Sequence, residues 1–185
     1  AVSDVFCRQG LRIFDVEELP THGGSLRIYA CHAIDSNKPD SPTVSDLLKR
    51  EAAAGFTALE VYRSFEQKVH HTKRELLKFL ITAREEGKRV AGYGAPAKGN
   101  TLLNYCGVRT DLVEFTVDRA ESKQSTLLPG TRIPVFGPEK IEEEKPDYIL
   151  ILPWNIKDEI MSSMDFVREW GGRFAVPIPE VRLLD

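Results

Sequence analysis

The sequence predicts an α/β protein: a Rossmann-like parallel sheet flanked by helices, preceded by the final strand pair of another sheet and by a long amphipathic helix. Three observations predict it. From residue 89 onward, short β-rich apolar runs such as "YILIL" at 148–152 alternate with helical patterns, the signature of a parallel sheet covered on both faces. A glycine-broken stretch, "RVAGYGAPAKGN" at 89–100, stands between a strand pattern and a helix pattern. Along residues 58–86 apolar side chains recur at helical spacing.

Taken in order, residues 4–9 read as the tail of a helix ended by Gly10, "LRIFDVEEL" at 11–19 as a strand, and "THGGS" as the turn into a second strand, "LRIYACHA". One helix and two strands cannot bury a sheet face, so residues 1–34 read as the terminal strands of a separate domain. Residues 35–88 are linker and helices: "DSNKPDSP" is polar and proline-bearing, Thr43 caps a helix to about Ala54, and Gly87 closes the long helix. The stripe of that helix comprises Leu59, Tyr62, Phe65, Val69, Leu76, Leu77, Leu80 and Ile81. Residues 89–185 form the Rossmann-like domain, with strands near 89–93, 112–117, 147–152 and 173–178 and helices near 100–106, 138–144 and 156–170. "TRIPVF" is a candidate short strand.

Composition narrows the function. A net charge of −3 and a pI near 5.9 offer no general attraction to nucleic acid or an anionic membrane, and no apolar run approaches the roughly 18 residues of a membrane span. Cys7, Cys31 and Cys106 are odd in number and lack metal-ligand spacing, which predicts reduced thiols and a cytoplasmic location. The opening "AVSDVFCRQG", without Met, reads as a cut into a longer protein.

Gly92, Gly94 and Ala97 match G-x-G-x-x-A between strand and helix, where glycines permit a tight turn and helix amides favour an anion. Lys98 adds a positive charge, and Asn100 is placed to cap the following helix. The same glycines also suit a turn needed for geometry alone. Asp118 ends the next strand, 24 residues after Gly94, near where a dinucleotide site puts its ribose-binding acid. "ILPWN" brings Trp154 and Asn155 to the same carboxyl edge, Trp154 either to stack on a base or to cover the core. In the first segment His22, Gly23, Gly24 and Ser25 form a turn that could sit in a site or bond only itself. His70, His71 and the "EEEK" run at 142–145 read as solvated helix surface, and His32 has no evident partner. No nucleophile elbow, Ser/His/Asp order or metal motif is present.

"PTHGGSLRIYA", the long helix, "GYGAPAKGNTLLNYCG" and "ILPWN" together resemble the carboxyl-terminal part of bacterial nucleotide-sugar C-methyltransferases, which use S-adenosylmethionine. The resemblance implies a zinc-binding module and a methyl-donor domain upstream, so that the sites for S-adenosylmethionine and zinc lie outside this chain, which alone methylates nothing. It implies an enzyme that removes a proton beside a sugar ketone and lets the enolate attack the donor methyl group. It also implies that His22, Gly23, Gly24 and Ser25 face substrate, with His22 the one candidate for a catalytic role. Residues 89–185 are then expected to orient a nucleotide-activated keto-deoxysugar through Gly92, Tyr93, Gly94, Ala95, Lys98, Gly99, Asn100, Asp118, Trp154 and Asn155. The expected partners are a nucleotide-diphosphate sugar and the remainder of the methyltransferase chain, with no nucleic acid and no membrane. The rival readings are a structural brace without a ligand and an NAD- or coenzyme A-binding domain.

Overall fold

A computed structural model describes residues 1–184. The chain divides into two compact units, Ala1–Glu66 and Gln67–Asp185, the second ending one residue beyond those described.

In the first unit, α1 (Val2–Arg8) leads through Gly10, at φ +70, into β1 (Leu11–Leu19). β1 pairs antiparallel with β2 (Ser25–His32), Leu11 opposite His32 and Leu19 opposite Ser25, with an irregularity between Ile13 and Asp15. Helix α2 (Pro42–Ala53) is capped by Ser41, whose Oγ accepts the Thr43 amide at 3.4 Å. The expected cap at Thr43 is therefore displaced: the fixed φ of Pro42 suits the first helical position, and the Thr43 hydroxyl donates to Asp15 instead, at 2.7 Å. No residue of this unit is buried. Ile13, Val16, Leu26, Ile28, Val44, Leu47 and Leu48 line an open groove, as expected of two strands with too little material to close a core.

Helix α3 (Leu59–Glu85) begins in the first unit and passes into the second. Leu76, Leu80 and Ala83, at i, i+4 and i+7, are its buried residues and join a core cluster with Leu103, Val113, Leu150 and Leu152. This packing explains why the second unit starts within the helix, at Gln67, whereas the sequence reading grouped 35–88 together.

The sheet of the second unit has seven strands in the order β5-β6-β4-β3-β7-β8-β9: β3 (Val90–Tyr93), β4 (Thr116–Val117), β5 (Thr126–Leu127), β6 (Pro134–Phe136), β7 (Tyr148–Ile151), β8 (Arg173–Val176) and β9 (Arg182–Leu184). β6, β4, β3, β7 and β8 are parallel, and β5 and β9 are antiparallel edges. Helices α4 (Ala97–Cys106), α5 (Glu139–Glu144) and α6 (Lys157–Ser163) make the connections. Successive strand residues serve opposite faces: Val90 and Leu150 join the cluster with α3 and α4, whereas Ala91, Tyr93, Ile149 and Ile151 join one with Ile141, Ile160 and Met164 of the α5 and α6 side.

Four expectations are corrected. The strand expected at 112–117 pairs as a strand only at Thr116–Val117, because the amides of Leu112 and Val113 turn back to the Arg109 carbonyl. The helix expected at 156–170 is a short turn at Trp154–Ile156, then α6, then a tighter 3₁₀ segment at Asp165–Trp170, interrupted where Met164 leaves helical geometry at φ −118 and ψ 26. Helix α4 starts at Ala97 after Pro96, three residues before expected. Asn100 is thus no cap: its amide donates to the Pro96 carbonyl and its side chain accepts from Asn104. The strand in "TRIPVF" is β6, and among the described residues no helix is long and apolar enough to cross a membrane.

Candidate functional site

Strands β3 and β7 are neighbours whose connections leave in opposite directions along the sheet, so their carboxyl ends mark the switch point at which open α/β sheets bind ligands. Three loops meet at that edge: residues 94–96 after β3, 118–123 after β4 and 152–156 after β7.

The first loop is closed tightly. Gly94 has φ +87, and a β-carbon there would lie 2.6 Å from Pro153 Cγ. At Gly99 a β-carbon would lie 2.7 Å from Leu152 Cβ, so glycine lets α4 approach the sheet. The Gly94 amide donates to the Val117 carbonyl at 2.6 Å, its carbonyl accepts the Thr116 hydroxyl at 2.9 Å, and the Ala95 amide donates to Asp118 Oδ2 at 2.7 Å. The expected convergence of loop amides on an anion is thereby limited. Gly94 and Ala95 are engaged within the protein, and the amides of Ala97, Lys98 and Gly99 at the start of α4 are those without an acceptor among the described residues.

Asp118 is equally committed. Its Oδ1 accepts the Ala120 amide at 2.8 Å, and its Oδ2 takes Lys123 Nζ at 3.1 Å besides Ala95. Burial pushes its carboxyl up, but the amides of Ala120 and Ala95 and the Lys123 ammonium outweigh that and hold it below the usual aspartate value. Asp118 ties the first two loops together.

Lys98 lies with Nζ 4.4 Å from the centre of the Trp154 ring and donates to Asn155 Oδ1. This cation–π contact joins α4 to the loop after β7, and burial pulls the Lys98 ammonium below the ordinary lysine value. Lys98, Trp154 and Asn155 are thus brought together as a group.

A cavity of about 280 Å³ opens between the three loops and α6. Of the residues expected from sequence, Tyr93, Gly94 and Asp118 line it. Gly92 and Gly99 serve packing. Residues that sequence reasoning missed are Arg119 and Lys123 on one side and Ile156, Glu159, Ile160 and Ser163 on the other. Arg119 directly follows Asp118 at the strand end and was findable; the α6 residues were hidden inside a helix expected to be twice as long. Among the described residues, the side chains of Arg119 and Glu159 make no hydrogen bond or ion pair.

His22, Gly23, Gly24 and Ser25 belong to the first unit. His22 is exposed in a left-handed conformation, φ 57 and ψ 19, while Gly24 N and Ser25 Oγ both donate to the Thr21 carbonyl at 3.0 Å. The His22 ring makes no hydrogen bond among the described residues. Nor do three His, Cys, Asp or Glu side chains come together there as metal ligands.

Residues 20–179 match the family described as C-methyltransferase C-terminal domain. The C-methyltransferase NovU of Streptomyces niveus is 37% identical over 180 residues, which is 97% of this chain and 43% of that protein. The chain therefore spans less than half the length of this relative. Among solved structures, the UDP-D-quinovosamine 4-dehydrogenase of Vibrio fischeri is similar at a TM-score of 0.39 and 15% identity, over 53% of this chain and 93% of that one. On the family match and the relative together, the chain belongs to the C-methyltransferase C-terminal domain family.

Proposed function

We propose that this domain holds a nucleotide-activated keto-deoxysugar for an S-adenosylmethionine-dependent methyl transfer to a sugar carbon. One observation carries the reading: at the switch point, a cavity bordered by the unpaired Arg119 adjoins Pro96, the residue that opens α4 and its free amides. Backbone donors at a helix start, the Lys98 ammonium and an available guanidinium suit a diphosphate, with each charged hydrogen bond contributing about 1.5–3 kcal/mol.

The methyl donor does not fit this chain's own residues. Asp118, the acid positioned for a ribose, spends both oxygens within the protein, and so do the amides of Gly94 and Ala95. The same facts weigh against NAD or coenzyme A. The residues likewise provide no zinc cluster among those described. In this proposal donor and zinc are held by the remainder of a longer methyltransferase chain, and this domain binds and orients. His22, with a free ring on an exposed turn, is the one candidate here for proton transfer. On this reading the protein works in the cytoplasm, in keeping with the odd number of cysteines without disulfide or metal spacing.

Closure of the glycine loop by Val117 and Asp118 favours a second reading, in which the domain only braces its neighbours. Calorimetry of this chain with thymidine diphosphoglucose, compared with Lys98→Ala, separates the two. Nucleotide-sugar holding requires saturable binding that weakens roughly tenfold or more on removing Lys98. Equal affinities remove Lys98 from the site, and no binding favours the brace.

A further inference from the structure

The apolar stripe of α3 extends beyond the residues it buries. Leu76, Leu80 and Ala83 are its buried residues. Val69 stands two turns before Leu76, and Phe65 and Tyr62 lie four and then three residues further back. At about 100° per residue, all six side chains fall within about 60° of one another around the helix.

The amino-terminal part of this stripe is uncovered. Tyr62 is 58% and Phe65 62% exposed, and the nearby Leu59 and Phe56 are 66% and 52% exposed. The Tyr62 hydroxyl donates to the Phe56 carbonyl at 2.7 Å, so the polar end of the ring is satisfied by its own chain and its faces are left apolar. Single exposed hydrophobics are ordinary on a protein surface. Two aromatics in phase with a core, with two more apolar side chains nearby, are not. At roughly 100 Å² each, the four approach the 300–600 Å² of patches that mark interaction surfaces.

The surroundings indicate what covers them. Glu60 and Glu66 alternate with Arg63 and Lys68, which gives no basic face for a lipid surface. Leu59, Tyr62 and Phe65 belong to the unit Ala1–Glu66, in which no residue is buried. Such a unit needs further protein to acquire a core, and its bare helix face needs the same. The match spans 43% of NovU, in a family described as a C-terminal domain, so the greater part of that relative lies outside it.

We propose that Tyr62 and Phe65, with Leu59, seat an apolar segment from the amino-terminal part of a longer methyltransferase chain. The assignment rests on the reading above that this domain works within such a chain, and adds the surface at which the two parts join. Helix α3 is continuous from Leu59 to Glu85, so a segment seated on its first turns is joined to the sugar-holding domain through a single helix.

The test compares this chain with the full-length methyltransferase, each as the parent and as the double variant Tyr62→Gln, Phe65→Gln, which removes the rings and keeps helix propensity. Melting of the variant of this chain is the folding control: its midpoint stays unchanged or rises. The seat requires amides of residues 60–69 to exchange hydrogen about tenfold or more slowly in the full-length protein than in this chain, and the double variant to abolish that difference. Equal exchange in the two chains, or protection that survives the double variant, overturns the seat. Sedimentation of this chain tests the other occupant: a dimer that the double variant converts to monomer assigns the face to a second copy and equally overturns the proposal. None of these measurements involves a sugar, so a failure of nucleotide-sugar binding bears on the earlier reading alone.

Discussion

The Asp118 carboxylate accepts the Ala95 amide at 2.7 Å, so the acid at the end of one strand fastens the glycine loop at the end of its neighbour. Its side chain is 13% exposed, and Asp118→Asn exchanges a charged acceptor for an amide that cannot serve Ala95, Ala120 and Lys123 alike. Urea denaturation is expected to show a loss of about 1–3 kcal/mol.

The same carboxyl gives a pH dependence of known sign. Its folded value lies below the ordinary 3.8, so its stabilisation is present above that value and is lost as pH falls through it toward the folded value. Melting temperature should therefore fall less steeply with acid in Asp118→Asn than in the parent chain. Identical slopes would mean the carboxylate is not held by these bonds.

Gly94→Ala should cost more than Gly99→Ala. Both introduce a β-carbon at under 3 Å, against Pro153 and Leu152 respectively, for about 1–3 kcal/mol of overpacking. Gly94 adds a left-handed backbone, φ +87, for about 1–2 kcal/mol more. Denaturant midpoints of the two variants give the order.

The buried face of α3 predicts a fourth effect. Leu80 is fully buried against the sheet, and Leu80→Ala should lose about 2–5 kcal/mol, whereas Tyr62→Ala, at a position 58% exposed, should cost far less.

The two units should open separately. No residue of 1–66 is buried, whereas β3 is buried throughout. Native hydrogen exchange is expected to give smaller opening free energies for β1 and β2 than for β3 and β7. Equal protection would contradict this.

Much of the sheet was legible from sequence. The apolar runs at 90–93, 148–151 and 174–176 are short and uninterrupted because both faces of each strand are covered. What escaped were elements set by tertiary pairing: β5 and β9, of two and three residues, carry too little pattern to be read. The amphipathic stretch from 156 to 170 hid a break at Met164, a residue of ordinary helix propensity. At the site, the glycine motif does fall between a strand, β3, and a helix, α4, as its context in the sequence indicates. It could not show that Asp118 and Val117 already satisfy the loop, since that depends on the spacing between strands. Tyr93 could be read as a loop neighbour, but its hydroxyl, buried without a partner among the described residues, belongs to three dimensions.

Amide shift mapping of the ¹⁵N-labelled chain during titration with a nucleoside-diphosphate sugar tests the account most directly. The expected result is saturable movement concentrated at Ala97, Lys98 and Gly99 and at Arg119, with little change in β1 and β2. A spectrum that stays still at saturating ligand, or moves only away from the carboxyl edge of β3, contradicts it.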